Sequence, residues 1–298
     1  MSNINKWNTH IISKPFNYHS PETVEEAVKL LDTLENVRVL AGGTDLIPKM
    51  KQRLFEPSEI VNLKKIPELV GIKETEKGIW IGAVTKLGEI EKSKLIQDKF
   101  PLQYLCTKTI GSVQIRNMGT LGGNVCNSSP AADGALGLVT LQAVAHIAGV
   151  KGTRDVPVEE FFVSPGKSVL GKDEIVTGFT IPFPEKGTGY HFISIGRMAL
   201  DISTISIAVT VTIKDGKVSA SRIALGSVAP VPLRLPKVDE YIIGKELTDE
   251  LIEKAAEMVS AGIKPIDDIR ATAEYRRVAA KGMAMEAYTQ AKKTAEAI

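Results

Sequence analysis

Two glycine pairs are the residues with the greatest chemical reach in this chain. The first, Gly42-Gly43, lies in LAGGTDLI, Leu40 to Ile47; the second, Gly122-Gly123, lies in GTLGGN, Gly119 to Asn124. A residue without Cβ lets the main chain bend sharply and bring its N–H groups close to a ligand. Where such a pair ends a strand and opens a helix, unpaired amides and the positive end of the helix dipole face one space, which suits a phosphate. Thr44 adds a hydroxyl. A carboxylate there repels phosphate, so Asp45 is expected to point away and cap the loop. Thr120 and Asn124 bracket the second pair in the same way. Two such loops suit a ligand with two phosphates, such as a dinucleotide. Each loop alone also reads as a helix cap or a tight turn, with Asn124 bonding its own backbone.

Other chemistry is poorly supported. Neither loop carries the G-K-[ST] of a P-loop, and neither fits G-x-G-x-x-G with a distant acid, which disfavours a Rossmann domain. Asp133 follows Asn124 by nine residues. There it accepts a hydrogen from a ribose hydroxyl, or it caps a helix starting at Gly134; residue type alone favours the cap. His10, His19, His146 and His191 are scattered, with no metal-ligand spacing and no Ser-His-Asp pattern. His146 is expected inside an apolar helix. No catalytic side chain and no metal site is therefore expected on this chain.

The elements that must position these loops can be read from periodicity. Residues 22–34 place Val24, Ala27, Val28, Leu31 and Leu34 on one helical face, after Ser20 or Thr23 as cap. Val37–Ala41 reads as a buried strand, Thr44–Leu54 as a helix and Ile60–Leu63 as a strand, which makes 20–65 a small βαβ-type unit. Trp80–Ala83 reads as a strand, TKLGEIEKSKLIQDKFPLQYLCTKT as helical, and ALGLVTLQAVAHIAG as a further helical run. After Pro184, alternation around Asp215-Gly216 signals a hairpin. Helices over roughly 248–261 and 268–296 close the chain. The fold class is α+β, with domains over 1–183 (subdomains about 1–66 and 67–183) and 184–298.

Bulk properties exclude several classes. The 298 residues carry 37 Lys plus Arg against 35 Asp plus Glu, so the net charge of +2 gives no general attraction to nucleic acid or membrane. Cys106 and Cys126 are the sole cysteines, too few for a four-cysteine iron–sulfur cluster, and read as small buried residues. The stretch MSNINKWNTHIISKP lacks the basic start and apolar core of a signal peptide, and no run reaches the ~20 apolar residues that span a bilayer. A cytoplasmic protein is expected.

Taken in order, AGGTDLIPKMK, QIRNMGTLGGNVCNSSPAAD, DEIVTGFTIP and DDIRATAEYRR resemble the FAD-binding subunit of the molybdenum hydroxylases, the family of the xanthine and carbon monoxide dehydrogenase flavoproteins. The resemblance runs from about Phe16 into the last helix. It implies an FAD-binding fold like that of vanillyl-alcohol oxidase and p-cresol methylhydroxylase. It also implies a C-terminal domain with a three-stranded antiparallel sheet and helices. The cofactor implied is FAD. Leu40, Ala41, Gly42, Gly43, Thr44, Asp45, Leu46 and Ile47 would form the first pyrophosphate loop; Thr120, Leu121, Gly122, Gly123 and Asn124 the second. Asp133 would take the ribose or adjoining polar part, Ile110 would lie against the isoalloxazine, and the backbone at Val176 would meet its pyrimidine edge. The partners implied are an iron–sulfur small subunit and a molybdopterin large subunit, with NAD, quinone, ferredoxin or oxygen as acceptor. Ile193 stands where many relatives carry a lysine, while Arg197 and Asp201 match the pattern. The rival readings are a free-standing flavin oxidoreductase of the same fold and a non-catalytic assembly subunit.

Overall fold

A computed structural model describes residues 12, 14–198 and 200–297. His10 and most of the stretch MSNINKWNTHIISKP lie outside the described residues. Three larger sheets and their helices follow one another along the chain.

The first unit is a three-stranded parallel sheet. Its strands are β1 (Asn17–His19), β2 (Val37–Leu40) and β3 (Glu59–Asn62), in the spatial order β1-β3-β2. Helix α1 (Val24–Thr33) joins β1 to β2 and is capped by Thr23, whose hydroxyl accepts from the Glu26 amide. Its buried Ala27, Val28 and Leu31 pack on Val61, Leu63 and Leu69, as the spacing predicts. Helix α2 (Leu46–Lys51) joins β2 to β3. It is shorter than the expected 44–54, because the chain turns through Thr44 and Asp45 and ends at Arg53, which has φ +61°.

The second unit is a five-stranded antiparallel sheet. It contains β4 (Ile72–Thr75) and β5 (Gly78–Gly82). Then come five short helices, α3 (Leu87–Lys92), α4 (Lys94–Lys99), α5 (Pro101–Lys108), α6 (Val113–Met118) and α7 (Leu121–Cys126), and the apolar α8 (Asp133–Thr140). Strands β6 (Val144–Gly149) and β7 (Gly152–Pro157), a small hairpin of β8 (Phe162–Ser164) and β9 (Lys167–Ser168), and β10 (Ile175–Pro182) follow, giving the order β4-β5-β10-β6-β7. Alternation sets the faces: Ile79, Ile81, Phe179 and Ile181 point into a core shared with Leu87, Phe100, Leu121 and Leu138, while Trp80 points the other way. Two expectations are corrected here. The continuous helix before Thr109 is three helices, broken at Ser93 and at Phe100-Pro101. The run ALGLVTLQAVAHIAG is helical only to Thr140: Gln142 has φ +56°, and residues 144–149 pair with both β10 and β7. A strand buried on both faces is as apolar as a buried helix, so period cannot separate them. His146 accordingly lies on a strand, bonded to Asp155 and Thr180 at 2.7 Å each.

The third unit has four antiparallel strands: β11 (Thr188–Ile195), β12 (Ile205–Lys214), β13 (Lys217–Gly226) and β14 (Leu233–Arg234). The expected count of three missed β14, a two-residue edge strand hidden among prolines. Asp215 (φ +51°) and Gly216 (φ +75°) make the expected tight hairpin turn. Helices α9 (Pro236–Ile242), α10 (Asp249–Gly262) and α11 (Ala273–Glu296) cover one face. The last starts five residues later than expected, because 263–272 is an irregular segment held by side chains. Buried Arg276 donates to the carbonyls of Ser227 and Ile266 and to Asp268. Thr272 caps α11 through the Tyr275 amide.

Candidate functional site

The two glycine loops meet. A Cβ added at Gly42 would sit 2.3 Å from the carbonyl oxygen of Met118 and 2.7 Å from the Cα of Gly119. Only glycine permits that backbone-on-backbone contact. Asn127 ties the same edges together: its amide donates to Asp45 at 3.2 Å and its carbonyl accepts from Lys49 at 2.7 Å. Asp45 thus points at Asn127 rather than capping α2.

Between the loops lies a cavity of about 330 Å³. Of the expected residues, Ala41, Gly42, Gly43, Thr44, Asp45, Leu46, Ile110, Thr120, Gly122, Gly123, Asn124 and Val176 line it. Leu40, Leu121 and Asp133 are buried behind it, and Ile47 does not line it. Leu40 and Ile47 instead back the first loop, 3.1 and 3.3 Å from where a Gly43 Cβ would be.

The two loops offer different chemistry. Among the described residues, the amides of Gly42, Gly43, Thr44 and Asp45 donate to no protein group. Gly43, at φ +75°, turns the chain so that these donors can face one space. In the second loop most amides are spent at home. Gly122 N–H donates to Ala83 O (2.8 Å), Leu121 N–H to Thr85 O (3.1 Å), and Gly123 N–H to the Thr120 hydroxyl (3.1 Å), which caps α7. The second loop is therefore mainly a rigid wall, fixed to the strand end at Ala83, and its glycines let that wall lie close: a Gly122 Cβ would be 2.6 Å from Ala83 O.

The far wall is built by tertiary bonds. Buried Arg116 donates to the carbonyls of Ile110 (3.2 Å) and Gly111 (3.0 Å) and pairs with Glu91 at 2.7 Å, which fixes the turn carrying Ile110. Val176 stands beside a bulge in β10, where pairing with β6 slips between Val176 and Gly178 and Thr177 O turns to the Ala83 amide. Bulges re-aim backbone groups in this way. Arg38, Lys49 and Phe55 form one end of the cavity, with the Arg38 guanidinium 4.8 Å and the Lys49 ammonium 5.4 Å from the Phe55 ring centroid. Sequence reasoning missed all three. Lys49, one helical turn beyond Asp45, was the readable one. Cys126 lines the cavity too, its thiol pushed up to about 12 by burial.

Two buried acceptors stand without partners beside this wall: Asn124 Oδ1 and Asp133 Oδ1. Gly134 lies against the first of them, and its absent side chain leaves room for Asn124 Oδ1 and Ile110. Asp133 is the first residue of α8, not its cap. Its Oδ2 accepts from the Ser203 hydroxyl at 2.8 Å. Burial raises its pKa to about 6, against the opposing pull of the Ser203, Ser206 and Thr109 hydroxyls. A second cavity, about 730 Å³, opens beyond this point and is lined by Lys108, Thr109, Arg116, Arg197, Asp201 and Ser203, among others. There Arg197 and Asp201 pair at 3.1 Å.

Comparison with known proteins agrees with this geometry. Residues 14–184 match the FAD binding domain in molybdopterin dehydrogenase, and residues 190–291 match the CO dehydrogenase flavoprotein C-terminal domain. The chain is 34% identical over 277 residues to the glyceraldehyde dehydrogenase medium chain of Sulfolobus acidocaldarius, covering 92% of this chain and 98% of that protein. It is 33% identical over 282 residues to the carbon monoxide dehydrogenase medium chain of Hydrogenophaga pseudoflava, covering 94% and 98%. It is 32% identical over 262 residues to the putative xanthine dehydrogenase FAD-binding subunit of Escherichia coli K12, covering 87% and 90%. The structure of the Hydrogenophaga carbon monoxide dehydrogenase lacking the Mo-pyranopterin moiety superposes with a TM-score of 0.93 over 95% of this chain and 99% of that one. Matched in sequence along both halves and in fold throughout, the chain belongs to the FAD-binding, medium-subunit family of the molybdopterin dehydrogenases.

Proposed function

We propose that this chain is the FAD-carrying electron-transfer subunit of a multi-subunit molybdenum hydroxylase. One observation carries the reading: two glycine loops, 80 residues apart in sequence, close on a single cavity. One of them offers free amides, and unpartnered buried acceptors stand at the far wall. Those features fit FAD. The amides of Gly42 to Asp45 suit the diphosphate, the orphaned oxygens of Asn124 and Asp133 suit hydroxyl and N–H donors, and apolar Ile110 and the Val176 bulge suit a flat ring.

Bound flavin accepts electrons one at a time and releases them as a pair. The chain's own task is then to hold, orient and shield the group. In this reading residues 1–183 hold the cofactor and 184–298 complete the site. An iron–sulfur small subunit feeds electrons in, and a molybdopterin large subunit oxidises the substrate. NAD or another external acceptor takes the electrons away. No nucleic acid is involved, and the complex works in the cytoplasm; among the described residues no helix is long and apolar enough to cross a membrane.

The purified chain should show the oxidised-flavin band near ~450 nm, a property of the cofactor itself. Gly43→Val, which puts a β-branched residue at φ +75°, and Gly123→Val, which fills the cavity, should both lose it while keeping the far-UV circular dichroism of the parent. Retention of flavin by both variants would overturn the loop assignment.

A further inference from the structure

The C-terminal domain reaches into the proposed cofactor site at one point. Asp133 is 6% exposed, and none of the ion pairs among the described residues includes it. A carboxyl buried only for stability would have both oxygens satisfied, because an unpaired buried acceptor is costly. Here one oxygen is held and the other is buried without a partner. Oδ2 takes the Ser203 hydroxyl at 2.8 Å, while Oδ1 has no partner; neither Ser206 nor Thr109 reaches hydrogen-bond geometry.

Ser203 is itself held in place. It lies on the connection between β11 and β12, in the other sequence half, 70 residues from Asp133. Its carbonyl accepts from the Ser227 hydroxyl at 2.8 Å. Ser227 has φ +62°, a conformation that serine rarely adopts. Three bonds enforce it: the bond to Ser203, its amide to Pro130 O at 2.8 Å, and its carbonyl to buried Arg276 at 3.3 Å. Strain that is over-determined by its surroundings is a pointer to function.

We infer that Ser203 is a positioning residue: its hydroxyl holds Oδ2 of the Asp133 carboxyl and leaves the buried, unpartnered Oδ1 as the acceptor for a hydroxyl donor of bound FAD. This rests on the cofactor reading above and adds to it a residue from the C-terminal domain that does not itself touch the ligand. Ser203 thereby becomes part of the cofactor site, and the Arg276–Ser227 bond becomes its anchor.

The test is a double-mutant cycle read by FAD titration of the full-length, flavin-stripped chain, with Ser203→Ala, Asp133→Asn and the pair. Losing a hydrogen bond to a carboxylate should weaken FAD binding roughly tenfold or more in each single variant. The double variant should bind no worse than Asp133→Asn alone, since Ser203 acts only through Asp133. Ser203→Thr, which keeps the hydroxyl, should recover most of the affinity. Thermal melts of the flavin-free chains check that all four variants are folded. Wild-type affinity in Ser203→Ala, or multiplying effects in the double variant, overturns this inference and leaves the cofactor reading standing. Absence of FAD binding by the wild-type chain overturns both.

Discussion

Asp133 and Asp239 each give the ligand-free chain a pH-dependent contribution to stability. Burial raises each to about 6, above the ordinary 3.8. Between those values the native state keeps a proton that the unfolded chain has lost. Their contribution therefore falls as pH rises from about 4 to about 6 and is level above that. Asp268, held low by Arg276 and by the Arg270 and Ala271 amides despite its desolvation, acts oppositely and loses its contribution only in strong acid. Asp133→Asn should remove its own share of the fall, on the order of 1–3 kcal/mol, which urea melts at pH 4.5 and 7.5 would show. At Gly42 the expected cost is steric. Gly42→Ala drives a methyl into Met118 O, so it should part the two loops, lower the melting temperature by an amount corresponding to about 1–3 kcal/mol and weaken FAD binding. The glycine pairs were legible in sequence because their steric need is local. Arg38, Phe55 and Ser203 were not, because their roles depend on strand pairing and on a bond spanning 70 residues.

Among the elements, amphipathic helices with polar caps were readable: α1 and α10 lie within a residue or two of expectation, each capped by threonine. The misread run ending at Gly149 shows the limit. Nothing in AVAHIAG distinguishes a strand shared by two neighbours from a buried helix, and the break lies in Gln142, an exposed residue at φ +56°. Gln142→Gly should relieve that strain and stabilise the chain by about 0.5–1 kcal/mol, measured as a rise in denaturant midpoint at constant slope. Arg276→Met makes the opposite case. It leaves two carbonyls beside the 263–272 segment without their donor and Asp268 with only Arg270 and its backbone amides, and should cost about 1–3 kcal/mol, with hydrogen exchange rising first in that segment and the start of α11.

Across the whole molecule, the halves are joined by the five residues 183–187 and by polar contacts that no periodicity could announce. Glu159 accepts from Arg222 at 2.7 Å and faces Arg234 at 3.4 Å; Arg234 also meets buried Asp239 at 2.9 Å. Glu159 is partly exposed, so Glu159→Gln should cost less than about 1 kcal/mol in global stability. It should still speed limited proteolysis in the 183–187 connection. The order of α and β segments told of the α+β class. The fourth strand of the last sheet escaped notice because a two-residue edge element has no period.

The contact between Gly42 and Met118 has a practical consequence. The amide-rich loop and the wall opposite belong to segments separated by the exposed turn at Glu76-Lys77. A chain severed there yields one fragment bearing the phosphate donors and another bearing the Thr120 loop. A dinucleotide gripping both would act as a staple, and its concentration would set how much of the broken protein reassembles.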